Sequence, residues 1–258
     1  YFGGVAGYNN GVIGTVTNTS VIDVTAQYGT LVGGIIGFND ANGTLAGEIV
    51  NEGNISGKSE VGGIIGENIN QSILNNEGKP RLTISNKGNV RATNGGAAGI
   101  FYDNQGVINN VDLINEGTVT GGTAKDSVTG GLFGKNSGKV TNSILTNSGI
   151  VTGGGTVGGL IGDNSGSASG SVFTNDGIVE GEDKVGGLFG INSGSFNTSS
   201  LINTVNAQVT GKQEVGGLIG KNTGTITGGR DAADSYYKYQ IYNNGTITVT
   251  GEGENIGG

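Results

Sequence analysis

The sequence predicts an all-β fold, a parallel β-helix or β-solenoid of about eight repeats of 28–41 residues, with about three short strands per repeat and essentially no helix. Three observations predict it. An eight-residue block returns along the whole chain, a second block returns in phase with it, and Gly, Asn, Thr, Ser and Val stand where helix formers would be needed. Self-similarity at such a period marks a solenoid, propeller or array, in which each unit buries its apolar face only against its neighbours.

The first block reads Val157-Gly-Gly-Leu-Ile-Gly-Asp-Asn164, with close copies at residues 32–39, 61–68, 129–136, 185–192 and 215–222 and worn copies at 2–9 and 97–104. From Gly3 to Gly257, with Ala98 standing in one glycine slot, the steps between first glycines are 30, 29, 36, 32, 28, 28, 30 and 41 residues. Residues 1–258 therefore read as one repeat domain, with repeats starting near 2, 32, 61, 97, 129, 157, 185 and 215 and a ninth beginning at 256. Both ends lie inside a motif and there is no Met, which reads as a whole number of repeats taken from something longer.

Within a repeat, Ser165-Gly166 marks a turn, residues 167–174 alternate loosely, and Asn175-Asp-Gly-Ile-Val179 closes the unit. Glycine and asparagine suit such turns because they tolerate the left-handed backbone region. The closing block recurs from Asn51, Asn86, Asn115, Asn147 and Asn243, with a degraded copy from Asn203. Its fifth residue is apolar while its neighbours vary, the pattern of a strand with one wet face.

Parallel stacking at about 4.8 Å per coil makes eight repeats a rod on the order of 40 Å long. It also aligns Asn39, Asn68, Asn104, Asn136, Asn164, Asn192 and Asn222 as an asparagine ladder at one corner. Asn51, Asn86, Asn115, Asn147, Asn175, Asn203 and Asn243 form a second. Stacked amides satisfy polar groups that are otherwise costly to bury. The adjacent apolar pair, such as Leu160-Ile161, cannot face inward together on a regular strand. Either the preceding glycines bend the chain so that both are covered, or one forms an external apolar stripe.

Composition removes several functions. The chain carries a net charge of −8, with scattered acids and no basic stripe, so no nucleic acid is expected as a partner. Without Cys or His there are no disulfides, thiolate sites, imidazole bases or usual zinc ligand sets. No cofactor and no required metal are expected, and no apolar run approaches membrane-spanning length. A polysaccharide-cleaving β-helix would cluster its carboxylates; Asp103, Asp112, Asp163 and Asp183 read as occupying different phases. Ice binding would need a threonine array, which the positions flanking Val90, Val119 and Val179 do not keep.

The Gly-Leu-Ile-Gly, Gly-Leu-Phe-Gly and Gly-Ile-Ile-Gly cores of the first block resemble the GLUG motif repeat, over nearly the whole chain. That resemblance implies an extracellular or cell-surface β-solenoid of a bacterial secreted or adhesin-like protein. GLUG repeats also occur in the non-catalytic part of some IgA-specific metallopeptidases, whose zinc-binding helix needs histidines that are missing here. The expected function is thus a non-catalytic structural or adhesive module that presents loops on a rigid rod. The alternative is a self-assembling subunit of an extracellular filament or sheath. Expected partners are neighbouring repeats or like subunits end to end, and host or cell-surface protein or glycan.

Departures from the repeat are where function is grafted, because insertions map to loops on a rigid base. The longest step holds Arg230, Asp231, Asp234, Tyr236, Tyr237, Lys238, Tyr239 and Tyr242, a candidate contact loop whose tyrosines offer flat apolar area with a hydroxyl. The competing reading is that these tyrosines cover the side or end of the solenoid. A smaller insertion near Gln71 to Arg81, with the single proline Pro80, reads as a surface loop.

Overall fold

A computed structural model of the chain describes residues 1–25, 31–69, 74–75, 80–228 and 239–251. Among these residues every regular element is a strand, and every strand pair is parallel and in register, as in Phe133↔Ile161 and Asn136↔Asn164. The chain is a parallel β-solenoid, with four of its sheets eight strands deep.

Each coil carries five short strands rather than the three that the segments suggest. One coil runs through Thr156–Gly158, Ile161–Asn164, Ser167–Ser169, Val172–Asn175 and Ile178–Glu180. They contribute in that order to the first through fifth sheets; the third is split into a two-stranded and a six-stranded piece. Two breaks within the expected segments account for the difference. One falls at Gly159-Leu160 inside the main motif. The other falls at Gly170-Ser171, where Asn110, Asn142, Gly170 and Thr198 all take positive φ, between 47° and 62°.

The first break resolves the apolar pair. The amides of Leu160 and Ile161 both donate to the carbonyl of Leu188 one coil on, and the pairs from Ile35-Ile36 to Leu188-Phe189 do the same. Two consecutive N–H groups sharing one acceptor means the strand turns there, so Leu160 and Ile161 both point inward and both are fully buried. Among the described residues, the pairs from Ile35-Ile36 to Leu188-Phe189 leave no apolar stripe outside.

The interior is divided into two lobes. Leu160, Ile161, Ala168 and Phe173 and their copies fill the larger, where Phe101 stacks on Phe133 at 5.5 Å and Phe173 meets Phe196 edge-on at 5.2 Å. The smaller is almost all valine, with Val157 facing Val179 in each coil. Between the lobes the walls pinch together. A Cβ on Gly159 would lie 2.0 Å from the Gly187 carbonyl oxygen and 2.8 Å from Cγ of Asn175. The same approach recurs from Gly34 against Asn51 to Gly187 against Asn203. A second glycine is excluded from change by its own coil, since a Cβ on Gly158 would stand 1.9 Å from the Ile161 carbonyl oxygen.

The fully buried hydroxyl of Thr129, in a slot that Val157 and Val185 fill elsewhere, has no hydrogen-bond partner. Thr129→Val keeps the shape and removes an unsatisfied polar atom, so it should raise unfolding free energy by about 1 kcal/mol in urea titrations. Asn147→Ala leaves the amides of Asn115 and Asn175 without their partner and should lower it by on the order of 3 kcal/mol in the same experiment.

Candidate functional site

Both asparagine ladders lie inside the coil and account for their members structurally. In the first, at the corner between the second and third sheets, the Nδ2 of each residue donates to the Oδ1 one coil on. Asn39 donates to Asn68 at 3.1 Å, Asn68 to Asn104 and Asn104 to Asn136 at 2.8 Å, Asn136 to Asn164 at 2.8 Å, and Asn192 to Asn222 at 2.8 Å. The second, between the fourth and fifth sheets, runs from Asn18 through Asn51 to Asn243 with every link between 2.8 and 3.0 Å. Many of the Nδ2 groups also reach their own turn, as Asn51 does to the Gly53 carbonyl at 2.8 Å. Asn203 of the degraded copy keeps its place in the ladder. A third column was not legible: Ser171 Oγ accepts from the Ser143 amide at 3.2 Å, and Ser143 Oγ from the Val111 amide at 3.1 Å. Its only sequence signal is a serine at the second break in three successive coils, Ser143, Ser171 and Ser199.

Of the candidate contact loop, Arg230, Asp231, Asp234, Tyr236, Tyr237 and Lys238 lie outside the described residues, as does the start of a ninth repeat at 256. Tyr239 is half-buried, and Tyr242 is on the strand Ile241–Asn243, in register with Ile202 on the outer side of the fourth sheet. Tyr242 thus belongs to the coil. Most of the insertion near Pro80 is also outside the described residues; its end is held by an Arg81–Asp112 ion pair at 3.2 Å.

A concave feature of the outer surface runs along the axis. The bend at Gly159-Leu160 folds the second sheet back on the first, leaving a concave corner. Its floor is the third glycine of each motif, at Gly37, Gly66, Gly134, Gly162, Gly190 and Gly220. Side chains cannot replace these glycines freely: a Cβ on Gly162 would lie 2.6 Å from Cγ1 of Val128, and one on Gly190 2.6 Å from Cγ2 of Thr156. In the worn copy the floor position is Tyr102. Its ring lies over Gly134, whose added Cβ would be 2.7 Å from Cδ2, and beside Gly96, whose added Cβ would be 2.6 Å from Cε2. Glycine on both sides makes the room for the ring, so this coil is altered in concert. Tyr102 is only 5% exposed, and Lys135 Nζ sits 5.6 Å from the ring centroid.

The seventh motif position points outward beside this floor, and there the acids fall into one column: Glu67↔Asp103, Asp103↔Lys135 and Lys135↔Asp163 are register partners. Asp103 and Asp163 therefore share a phase, contrary to the expectation from the sequence; Asp112 and Asp183 do not join them. Aligning the seventh residue of the motif copies would have displayed the column, since the register is that of the motif itself. The Gln105 amide bridges the first pair, donating to Glu67 Oε1 at 3.1 Å and to Asp103 Oδ2 at 3.3 Å. Burial raises the Glu67 carboxyl above its ordinary pKa, with Asp103 and Glu60 adding to it. Burial likewise raises Asp103 and Asp163, against a smaller opposing effect of Lys135. Burial raises Tyr102 as well, with Glu60, Asp103 and Asp126 contributing. Such a surface can receive a cation or hydrogen-bond a polar ligand. Among the described residues, no three acidic side chains converge as a metal-binding set.

No protein-family model, characterised protein or solved structure matches this chain.

Because Glu67, Asp103 and Asp163 hold protons more tightly folded than unfolded, the stability tied to them is present below the unfolded carboxyl pKa, about 4. It is lost as pH rises through the raised folded values. The double variant E67Q/D103N should accordingly be more stable than the parent at neutral pH, with the difference closing on acidification. Urea midpoints of the two proteins across pH 3–8 check this; a constant difference would remove the role of ionisation.

Proposed function

We propose that this chain is a non-catalytic, extracellular structural or adhesive module of a bacterial surface or secreted protein, a rigid rod that holds its outer face and loops away from their base. The observation that carries this reading is the pair of continuous asparagine ladders running through the coil on both sides of the larger lobe. They make each coil a specific seat for the next, so stiffness accumulates along the axis. The resemblance of the Gly-Leu-Ile-Gly cores to the GLUG repeat supports the extracellular setting.

A second reading, end-to-end assembly into a filament, draws on the polarity of the ladders. Every Nδ2 donates toward the C-terminal coil, from Asn9 to Asn222 and from Asn18 to Asn243. A copy stacked on the end of another would continue both ladders in register. Negative-stain electron microscopy at neutral pH over a range of concentrations separates the two. Single rods on the order of 40 Å long at all concentrations are expected for the module. Fibres that lengthen with concentration would replace that reading with assembly.

A further inference from the structure

We propose that the outer face of the fourth sheet is a lateral interface, on which a second copy of this chain docks with its rod axis reversed. This goes beyond the rod reading and differs from end-to-end assembly, since it uses the side of the solenoid and stops at two copies.

Side chains alternate along the strands of this sheet. Leu113, Leu145, Phe173 and Leu201 are fully buried in the larger lobe, so their strand neighbours face outward. Register sets those neighbours in two columns, Ile114↔Thr146↔Thr174↔Ile202 and, on the two central coils, Ile144↔Val172. Ile144 is 38% exposed and the other five are half-buried. All six are β-branched and stiff at χ1, so the face presents fixed ridges that lose little entropy when covered.

Charge sets this face apart. Within the described strands of the fourth sheet the one charged residue is Asp112, which is paired with Arg81 at 3.2 Å. The outward column of the second sheet, by contrast, is charged in five of eight coils, from Glu67 to Lys221. Two chains of net charge −8 repel one another, and they meet least opposition where the surface carries no net charge. Parallel sheets are ordinarily covered on both faces, and here the inner face alone is covered by the rod itself.

The order of residues identifies the cover. Identical surfaces joined by a two-fold axis must be self-complementary. The longer column reads Ile-Thr-Thr-Ile from Ile114 to Ile202, the same in both directions along the rod. A two-fold axis along the strand direction, between the coils of Thr146 and Thr174, reverses the rod and keeps each position along the strand. Ile114 then meets Ile202 of the second copy, Thr146 meets Thr174, and Ile144 meets Val172, with the sheets aligned about 10 Å apart. Six coils of about 4.8 Å and about 17 Å of strand give roughly 500 Å² per copy. The total of about 1,000 Å² is at the lower limit for a specific interface, so the pair should be reversible, with a dissociation constant on the order of 100 µM.

Sedimentation equilibrium of the intact chain from about 10 µM to about 1 mM tests the proposal. The parent should follow a monomer–dimer equilibrium that tightens as salt is added, because salt screens the mutual repulsion and leaves apolar contact in place. T146E/T174E sets like charges against each other across the axis and should weaken association about a hundredfold, with far-UV circular dichroism unchanged. I114T/I202T keeps β-branched residues in the strands, and with them the coil, and should weaken it about tenfold. T120E/T152E adds the same charge to the outward column of the fifth sheet and should stay close to the parent. A parent that is monomeric throughout overturns the proposal, as does a dimer that salt dissociates or that T146E/T174E and I114T/I202T leave unchanged. Equal loss in T120E/T152E would also overturn it, by reducing the effect to net charge. Growth into longer species that none of these variants alters would place the contact at the rod ends instead.

Discussion

The contact on which the rest of the structure depends is that of glycine backbone against asparagine side chain at the waist of every coil. A parallel coil with only apolar residues inside would be one wide lobe, and its opposed strands would have to be spanned by large side chains at every level. Here the second glycine of the motif brings the first wall against the second asparagine ladder, 2.8 Å from a built Cβ at Gly131, Gly159 and Gly187. The closeness forbids a side chain at the glycine. The burial in turn forbids an unsatisfied amide at the asparagine, which the ladder satisfies by bonding coil to coil. Two narrow lobes follow, one holding Phe, Ile and Leu and the other valine.

The waist also shapes the outside. Turning the chain at Gly159-Leu160 to bury both apolar residues makes the external surface concave at that place, and the third glycine becomes the floor of an axial corner. Interior packing and exterior topography are thus one feature seen from two sides. The corner tolerates variation where the interior does not: its seventh position runs Tyr8, Phe38, Glu67, Asp103, Lys135, Asp163, Ile191 and Lys221, while the eighth is asparagine in all eight coils. In a solenoid, chemistry is placed by choosing outward residues coil by coil, and register then assembles them into columns about 4.8 Å apart per step.

Register explains which inferences from the residues alone succeed. The asparagines of both blocks were legible as ladders because equal spacing and parallel stacking bring identical residues together, whatever the shape of the coil. The strand count was not: the adjacent apolar pair made a bend at Gly-Gly one of two readings, but that the bend splits the motif into two strands is seen only in the shared Leu188 carbonyl. The acids were misread for a different reason. Asp103 and Asp163 are separated by 60 positions that include steps of 32 and 28 residues, so raw spacing hides a phase that motif position exposes. Tyr102 looked like wear in a degraded copy, whereas its ring and Gly96 are fitted to one another.

By itself, then, the sequence determined the repeat, the parallel stacking, the two amide columns and the all-β class, because these depend on local pattern and on a period that every coil shares. Only the tertiary structure decided the five-strand coil, the two-lobed interior and the outer corner whose floor Tyr102 occupies beside the Glu67–Asp103 column. Those depend on how far the chain bends at glycine and on which walls touch. Glycine permits many bends, and the choice among them is made by packing against the opposite wall, which lies elsewhere in the chain.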